Sequence, residues 1–346
     1  FDLSSFAFHR IIAMIVTLPM WRWLLVVAPL CLVVSGNTNY NIYNYDQTNS
    51  QFTPDGRLLQ IEYASVASEQ SPPVMIVDLC GGNDNDDDER CLVLMTIPKQ
   101  EQSIQQRFII LEHHQGERKN NMPIVLAMSG ILSDSLALIQ AGLKQLQEPP
   151  YSSNSPRVIT AMGMAQQLAD ECQMRSFGGG IRPYGSAVIV CGFDHVDDNR
   201  NPCVFQTDPS GGMIQHYFRR RDQEDDSSTD SVIVLGGGTL ATTQRKRLIQ
   251  QAQREISAFR SRDEPTATKQ TLSDKIAALA RILIQTTTTT TTNQQETTTT
   301  SKQHAKEEKS KKNDYSCSPL EIVVLSPRWG CHRLDKEQIE AIQKKI

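Results

Sequence analysis

The chain has 346 residues, of which 39% are hydrophobic and 21% charged, and its formal net charge is -4 at pH 7. This composition is that of an ordinary globular protein with one large domain or two small ones. The negative net charge excludes a protein that binds nucleic acid through a basic surface, because no excess of cations is present to meet phosphate.

Residues 1–36 form an apolar leader that is predicted to be separate from the folded domain. Its apolar run, IIAMIVTLPMWRWLLVVAPLCLVV, is interrupted near the middle by Arg22, where a charge costs about 3 kcal/mol in a spanning helix. Read from Met20, the run resembles a secretory signal with Arg22 as the positive region and Val34-Ser35-Gly36 as the cleavage site. A mis-assigned start of the chain is the alternative interpretation.

The folded domain is predicted to occupy residues 37–346 and to begin with a turn and a short helix. Thr53-Pro54-Asp55-Gly56 is a strong turn sequence, because proline presets the backbone at the second position and glycine suits the fourth. Residues 58–68 place apolar side chains at helical spacing, which predicts a short helix directly after the turn.

Later apolar runs predict antiparallel strands with pairs of helices between them. The strands are predicted at 74–79, 91–96, 107–112, 123–130, 185–194, 203–208, 213–218 and, as the last one, 320–325, with a further short apolar segment at 232–237. The helices are predicted at 134–147, 157–174, 239–259, 272–285 and 336–346, the last of these with a capping-box pattern. This order predicts an α/β (α+β) fold, a four-layer αββα sandwich of two antiparallel sheets flanked by helices.

The segment 286–315 is a low-complexity insert within this domain. Its threonine tract TTTTTTTNQQETTTT and the lysine-rich stretch that follows lack apolar side chains, and both are predicted to be disordered. None of the eight cysteines forms a Cys-x-x-Cys pair, and the seven histidines show no metal-binding spacing. The sequence therefore predicts no metal site and no cofactor.

The stretch YDQTNSQFTPDGRLLQIEYA, residues 45–64, closely resembles the N-terminal signature of proteasome α-type subunits. Further similarities follow in that family's order: MSGILSD (128–134), RPYGSAVIVCGFD (182–194), FQTDPSGG (205–212) and LEIVVL (320–325). The resemblance covers roughly residues 40–346, with polar inserts that make this chain longer than is usual for the family.

The resemblance implies a non-catalytic subunit of the 20S proteasome core. Such subunits form the outer seven-membered ring, which caps β-type subunits that carry the protease sites and controls the passage of unfolded polypeptide substrates. Tyr45, Asp46, Pro54 and Tyr63 match, at the family's spacing, the cluster that holds the segment before the helix in its open arrangement at the pore. A regulatory particle or activator is the further partner implied. The implied location is cytoplasm and nucleus, with the secretory pathway as the alternative if the leader is a signal.

Two positions bear on how far this resemblance extends to gating and activator docking. The family commonly has arginine after the Tyr-Asp pair, whereas this chain has Gln47, so an intersubunit salt bridge at that point would be absent. Arg107 aligns with the lysine that receives the C-terminal carboxylate of docking activators, and arginine can bind a carboxylate bidentately. An exposed loop cation is the equal alternative for Arg107, since the alignment crosses an insert.

The sequence predicts no catalytic residue in this chain. Active members of the superfamily use an N-terminal threonine whose free α-amine acts as the base. Here Ser71-Pro72-Pro73 precedes the first core strand, with no threonine at its start, and a helix and tail come before it. Two alternatives stay open: an active N-terminal hydrolase released by cleavage near Ser71, and a secreted or membrane-tethered protein that uses the fold as a binding module.

Overall fold

The computed structural model describes residues 45–80, 90–97, 106–112, 122–147, 159–178, 181–193, 201–218, 232–238, 242–261, 271–297 and 320–346. Within these ranges the strands are β1 Val74–Cys80, β2 Arg90–Thr96, β3 Phe108–Leu111, β4 Ile124–Gly130, β5 Ser186–Phe193, β6 Pro202–Thr207, β7 Met213–His216, β8 Val232–Leu235, β9 Glu321–Ser326 and β10 Gly330–Arg333. The helices there are α1 Leu59–Glu69, α2 Leu132–Gln147, α3 Ala161–Phe177, α4 Thr242–Ser261, α5 Leu272–Thr297 and α6 Lys336–Gln343.

The strands form two five-stranded sheets in which every pair of neighbours is antiparallel. The first sheet has the order β10-β9-β2-β1-β8, and the second has the order β3-β4-β5-β6-β7. Val74 lies opposite Thr96 in the β1–β2 pair, and Val125 lies opposite Cys191 in the β4–β5 pair. The antiparallel strand pairs predicted from the sequence are confirmed.

Alternation along the strands separates three apolar layers. In β1, Val74 and Ile76 enter the core between the two sheets, whereas Met75 and Val77 pack against α4 and α5 on the outer side of the first sheet. A strand places successive side chains on opposite faces, so an uninterrupted apolar run is buried on both. A third apolar layer joins the second sheet to α2 and α3. The predicted four-layer αββα sandwich is therefore confirmed.

A polar joint connects the end of β4 and the start of α2 to the loop before β5. Asp134 is buried in the first turn of α2, where Arg182 donates to both carboxylate oxygens, from Nη1 at 2.6 Å and from Nη2 at 2.7 Å. The backbone N–H of Gly185 donates to the same carboxylate at 2.9 Å. The hydrogen bonds from Arg182 hold the pKa of Asp134 below its usual value. This joint fixes the loop before β5, and α1 packs against β4 and β5.

The prediction that 320–325 is the last strand is wrong. Strand β9 is followed by β10, and the two pair as a hairpin in which Gly330 lies opposite Ser326. The segment GCHR has no apolar alternation, so no sequence pattern indicates a strand there. Its strand conformation comes from pairing with β9, which in turn pairs with β2.

The disorder predicted for the threonine tract is also wrong for residues 286–297, which continue α5. The apolar side chains of α5 before the tract pack on the first sheet and set the helix in place. Thr286 Oγ1 then donates to the Ile282 carbonyl at 2.8 Å, and Thr287 Oγ1 donates to the Leu283 carbonyl at 3.0 Å. Adding a residue to an existing helix is much easier than starting one. Residues 298–315 lie outside the described residues.

The apolar leader at residues 1–36 lies outside the described residues as well. Among the residues that are described, no helix has both the length and the apolar character needed to cross a lipid bilayer.

Candidate functional site

The site begins with the turn predicted from Thr53-Pro54-Asp55-Gly56. The Gly56 N–H donates to the Thr53 carbonyl at 2.8 Å, and the Arg57 N–H donates to Thr53 Oγ1 at 3.0 Å. Gly56 has a φ of 77°, a left-handed conformation that favours glycine. The turn is thus confirmed, and it directs the chain from residues 45–52, here called the strap, into α1.

Asp46 and Tyr63, both singled out from the sequence, are brought into contact. The Tyr63 hydroxyl donates to Asp46 Oδ1 at 3.0 Å, and Gln60 Nε2 donates to the Asp46 carbonyl. The hydrogen bond to Asp46 raises the pKa of Tyr63, whose side chain is 50% exposed. The strap is therefore fastened to α1 through both the side chain and the backbone of Asp46.

The other two residues of the predicted cluster, Tyr45 and Pro54, belong to the strap and to the turn. Tyr45 is half-buried at the start of the strap, and Pro54 is exposed in the turn. Arg57, which follows the turn, pairs with Glu62 in α1, with its Nε 2.8 Å from Glu62 Oε1. Because both side chains are solvent-exposed, this ion pair contributes little to stability.

Asn49, which sequence reasoning missed, is the most buried residue of the strap. Its side chain is 5% exposed, and its amide group reaches the backbone carbonyls at the C-terminal end of α3. The sequence does not indicate that Asn49 is buried, because an asparagine in the polar stretch QTNSQ looks the same as an exposed loop residue.

The C-terminal end of α1 is hydrogen-bonded to both sheets, at the end of β4 and just after β8. Ser129 Oγ donates to the Ser68 carbonyl at 2.6 Å, and the Gly238 N–H donates to the Glu69 carbonyl. Gly130 follows with a φ of 88°, and a Cβ there would overlap the Gly185 carbonyl oxygen. The close approach of three backbones at this point holds α1 against β4 and β5.

Ser71, the residue at which an active hydrolase would have to begin, lies in this same buried region. Its Oγ is 2.7 Å from Ser129 Oγ, and since Ser129 donates to Ser68, Ser71 is the donor between the two hydroxyls. The Ser71 hydroxyl also lies 3.2 Å from the carbonyl oxygen of Pro72. The nitrogen of Ser71 is in a peptide bond to Gln70, whereas an N-terminal nucleophile needs a free α-amine. In the intact chain Ser71 therefore has the contacts of a structural hydroxyl.

Arg107 is buried, at 5% exposure, so the interpretation as an exposed loop cation is wrong. Its Nη1 donates to the Gly130 carbonyl at 3.0 Å, and its backbone N–H donates to Glu321 Oε2 at 2.9 Å. Burial lowers the pKa of the guanidinium, and the nearby Glu321 carboxylate acts in the opposite direction. Arg107 therefore lies beneath the end of α1 rather than within the contact between the strap and α1.

In the part of the chain that the structure describes, no three or more His, Cys, Asp or Glu side chains are grouped so as to hold a metal ion. The described residues of the site are a strap and a helix joined by a turn and by hydrogen bonds.

Comparison with known families agrees with this arrangement. Residues 45–65 match the family model of the proteasome A-subunit N-terminal signature, and residues 109–219 match the general proteasome-subunit family model. The chain is 33% identical over 172 residues to the proteasome alpha subunit of Methanothermobacter thermautotrophicus and 30% identical over 172 residues to that of Methanosarcina acetivorans. Each match covers 50% of this chain and 62% of the relative's length, so the chain spans about three-fifths of these relatives.

The two stacked sheets and the signature segment before β1 define a protein with the αββα sandwich of proteasome subunits. The signature itself carries the turn, α1 and the Asp46–Tyr63 contact. The chain is thus similar to proteasome α-type subunits over the signature segment and over residues 109–219.

Proposed function

We propose that this chain is a non-catalytic α-type subunit of the 20S proteasome core, which forms the outer ring with other α-type subunits and controls the passage of polypeptides to β-type subunits. The observation that supports this most directly is the hydrogen bond between Tyr63 and Asp46, which fastens the strap to α1. A segment at a pore can act as a gate only if its position is defined, and this contact defines it.

The geometry suggests how the gate would be held open. The proline ring of Pro54 restricts the backbone of the turn, so the strap leaves α1 in a limited range of directions. The Asp46 carboxylate accepts from Tyr63, and its carbonyl accepts from Gln60. Tyr45, next to Asp46, would then be presented toward the pore and a neighbouring subunit. Gln47 is exposed and brings no charge to that neighbour.

The change Tyr63→Phe tests this proposal, since it removes one hydroxyl and keeps the ring. We expect activator-stimulated peptide hydrolysis by assembled particles to fall about two- to fivefold relative to basal hydrolysis, because one hydrogen bond to a charged acceptor is lost. Stimulated and basal rates are measured with a fluorogenic peptide on particles purified after co-expression with β-type subunits.

The control is Tyr217→Phe, which makes the same change at an exposed tyrosine whose hydroxyl donates to Gln215. This variant is expected to keep the wild-type ratio. If Tyr63→Phe particles keep the wild-type ratio of stimulated to basal hydrolysis, the proposed gating role of this contact is contradicted. The proposal that the chain is a subunit of the outer ring is not affected by that result.

We also propose that the protease activity of such particles comes from the β-type partners. In support, the Ser71 hydroxyl donates to Ser129 and its nitrogen is part of the chain. The variant Ser71→Ala is expected to leave the peptidase rate per particle within about twofold of wild type, because no catalytic step uses this hydroxyl. The rate is measured with saturating fluorogenic peptide, with Ser257→Ala on the exposed side of α4 as the control. A loss of activity confined to Ser71→Ala would favour the N-terminal hydrolase instead.

Arg107 is the proposed receptor for the C-terminal carboxylate of an activator or regulatory particle. Its charge supports this role, although the residue is only 5% exposed in the single chain, so a docking carboxylate would have to reach a buried guanidinium. Its guanidinium already donates to the Gly130 carbonyl, so an incoming carboxylate would bind through the remaining N–H groups.

The proposed place of action is the cytoplasm, with the nucleus as the further location that the family resemblance implies. The secretory alternative and the binding-module alternative both depend on the leader at residues 1–36.

A further inference from the structure

We propose that Asn49 is a positioning residue that anchors the strap to the C-terminal end of α3 and thereby sets where Tyr45 and Asp46 lie. This inference rests on the proposed gating function, because the strap carries the residues through which the gate would be held. Tyr63 and Gln60 attach the strap to α1. Asn49 adds a second attachment, to α3.

The contacts of Asn49 differ from those of its neighbours in the strap. Gln47, Thr48, Ser50 and Gln51 are all exposed, whereas Asn49 is buried. Its Nδ2 donates to the Arg175 carbonyl at 3.1 Å and to the Ile181 carbonyl, and it lies 3.4 Å from the Gly178 carbonyl. The two N–H groups of one side-chain amide thus point at three backbone carbonyls, which belong to the last turn of α3 and the loop after it.

These acceptors need a donor of this kind. The last carbonyls of a helix have no partner within the helix, and the helix dipole makes that end electronegative. A carboxamide brings two N–H groups and no net charge, whereas an aspartate in the same place would direct oxygen atoms at three carbonyls. The chemistry of the site therefore selects asparagine over its isosteric acid.

The end of α3 is itself held firmly, so it can act as an anchor point. Ser176 Oγ lies 2.9 Å from the Gln173 carbonyl oxygen and 3.2 Å from that of Ser210, and the Gly178 N–H donates to the Met174 carbonyl at 3.0 Å. The Arg175 guanidinium lies 3.9 Å from the centre of the Tyr184 ring. Because Asn49 binds α3 and Asp46 binds α1, the strap is attached to two helices of the same chain. Neither contact involves Gln47, so the attachment does not depend on an arginine at that position.

The first experiment measures opening of the strap in the full-length chain. Tyr45 is half-buried at the start of the strap, so chymotrypsin cleaves after it when the strap leaves its site, and the rate of cleavage at Tyr45 reports the open population. The released fragments are identified by mass spectrometry, and each rate is divided by that of a synthetic peptide with the same sequence. We expect Asn49→Ala to be cleaved about tenfold faster than wild type, since its buried hydrogen bonds are lost. Thr48→Ala, at an exposed neighbouring position, is expected to match wild type.

A second variant separates hydrogen bonding from space filling. Asn49→Asp has nearly the shape of the native residue, but at about pH 8 its carboxylate faces the three carbonyls, and at about pH 5 its protonated form can donate to one of them. We therefore expect Asn49→Asp to be cleaved faster than Asn49→Ala at the higher pH and more slowly at the lower pH. A side chain that is not buried against these carbonyls would give equal normalised rates for Asn49→Asp at both values.

The third measurement connects the anchor to the gate. In particles assembled with β-type subunits, Asn49→Ala is expected to lower the ratio of activator-stimulated to basal peptide hydrolysis, as Tyr63→Phe does. Wild-type strap cleavage in Asn49→Ala, or pH-independent cleavage in Asn49→Asp, would overturn the anchor. Faster strap cleavage together with an unchanged hydrolysis ratio would leave the anchor standing and overturn the proposed gate.

Discussion

Replacing Gly130 with alanine is expected to lower the free energy of unfolding by at least about 4 kcal/mol, the largest effect foreseen for any single change in this chain. The added Cβ would overlap the Gly185 carbonyl oxygen and lie 2.7 Å from the Ser68 Cα atom. Both obstacles are backbone, so relief would require α1 or the start of β5 to move. The φ of 88° adds the usual penalty for a side chain in the left-handed region.

Gly56→Ala provides a matched control for this prediction. Gly56 has a φ of 77°, but a Cβ there would meet no atom within 4 Å. Its replacement by alanine is expected to lower the free energy of unfolding by about 1 kcal/mol, because only the left-handed backbone conformation is unfavourable for alanine. Urea denaturation of the two variants and wild type measures both values. Equal losses for the two glycines would mean that the close approach of α1 to β4 and β5 does not exist as described.

Replacing Asp134 with asparagine is expected to lower the free energy of unfolding by about 2 kcal/mol at neutral pH. The change removes a carboxylate that accepts from both terminal nitrogens of Arg182 and from the Gly185 N–H. Arg182 is largely exposed and can be hydrated again, which keeps the loss below that of a fully buried pair. Asp170→Asn, at an exposed position of α3, is the control and is expected to change stability by less than about 0.5 kcal/mol.

The same pair predicts a dependence of stability on pH. The pKa of Asp134 is lowered in the folded chain, chiefly by the hydrogen bonds from Arg182. A lowered pKa adds stability that is fully present above the unfolded value, about 3.9, and is lost as the pH falls through the folded value. The difference in unfolding free energy between wild type and Asp134→Asn should therefore shrink below about pH 4. A difference that stays constant over this range would contradict the ion pair.

The sequence indicates most of the secondary structure because its apolar runs are clear. The apolar run of β1 at residues 74–77 predicts a strand buried on both faces, and this needs no tertiary information beyond the presence of apolar layers on its two sides. Strand β10 and the threonine part of α5 are different. Neither carries its own apolar pattern, and each takes its conformation from a neighbour, β9 in one case and the preceding helical turns in the other.

Within the candidate site, the sequence identifies Asp46 and Tyr63 through the resemblance, and the structure brings them to 3.0 Å. It does not identify Asn49, because the partners of that side chain are backbone carbonyls 126 to 132 residues away. For Arg107 the residue type suggests an exposed cation, and only the folded chain buries it between Gly130 and Glu321.

By itself, the sequence determined the resemblance to proteasome α-type subunits, the turn before α1 and the two-sheet class of fold, because each depends on short-range patterns of residue type. The tertiary structure alone decided which polar side chains are buried and what they bind. Those contacts join residues far apart in the chain, and a buried amide or guanidinium has the same letter as an exposed one.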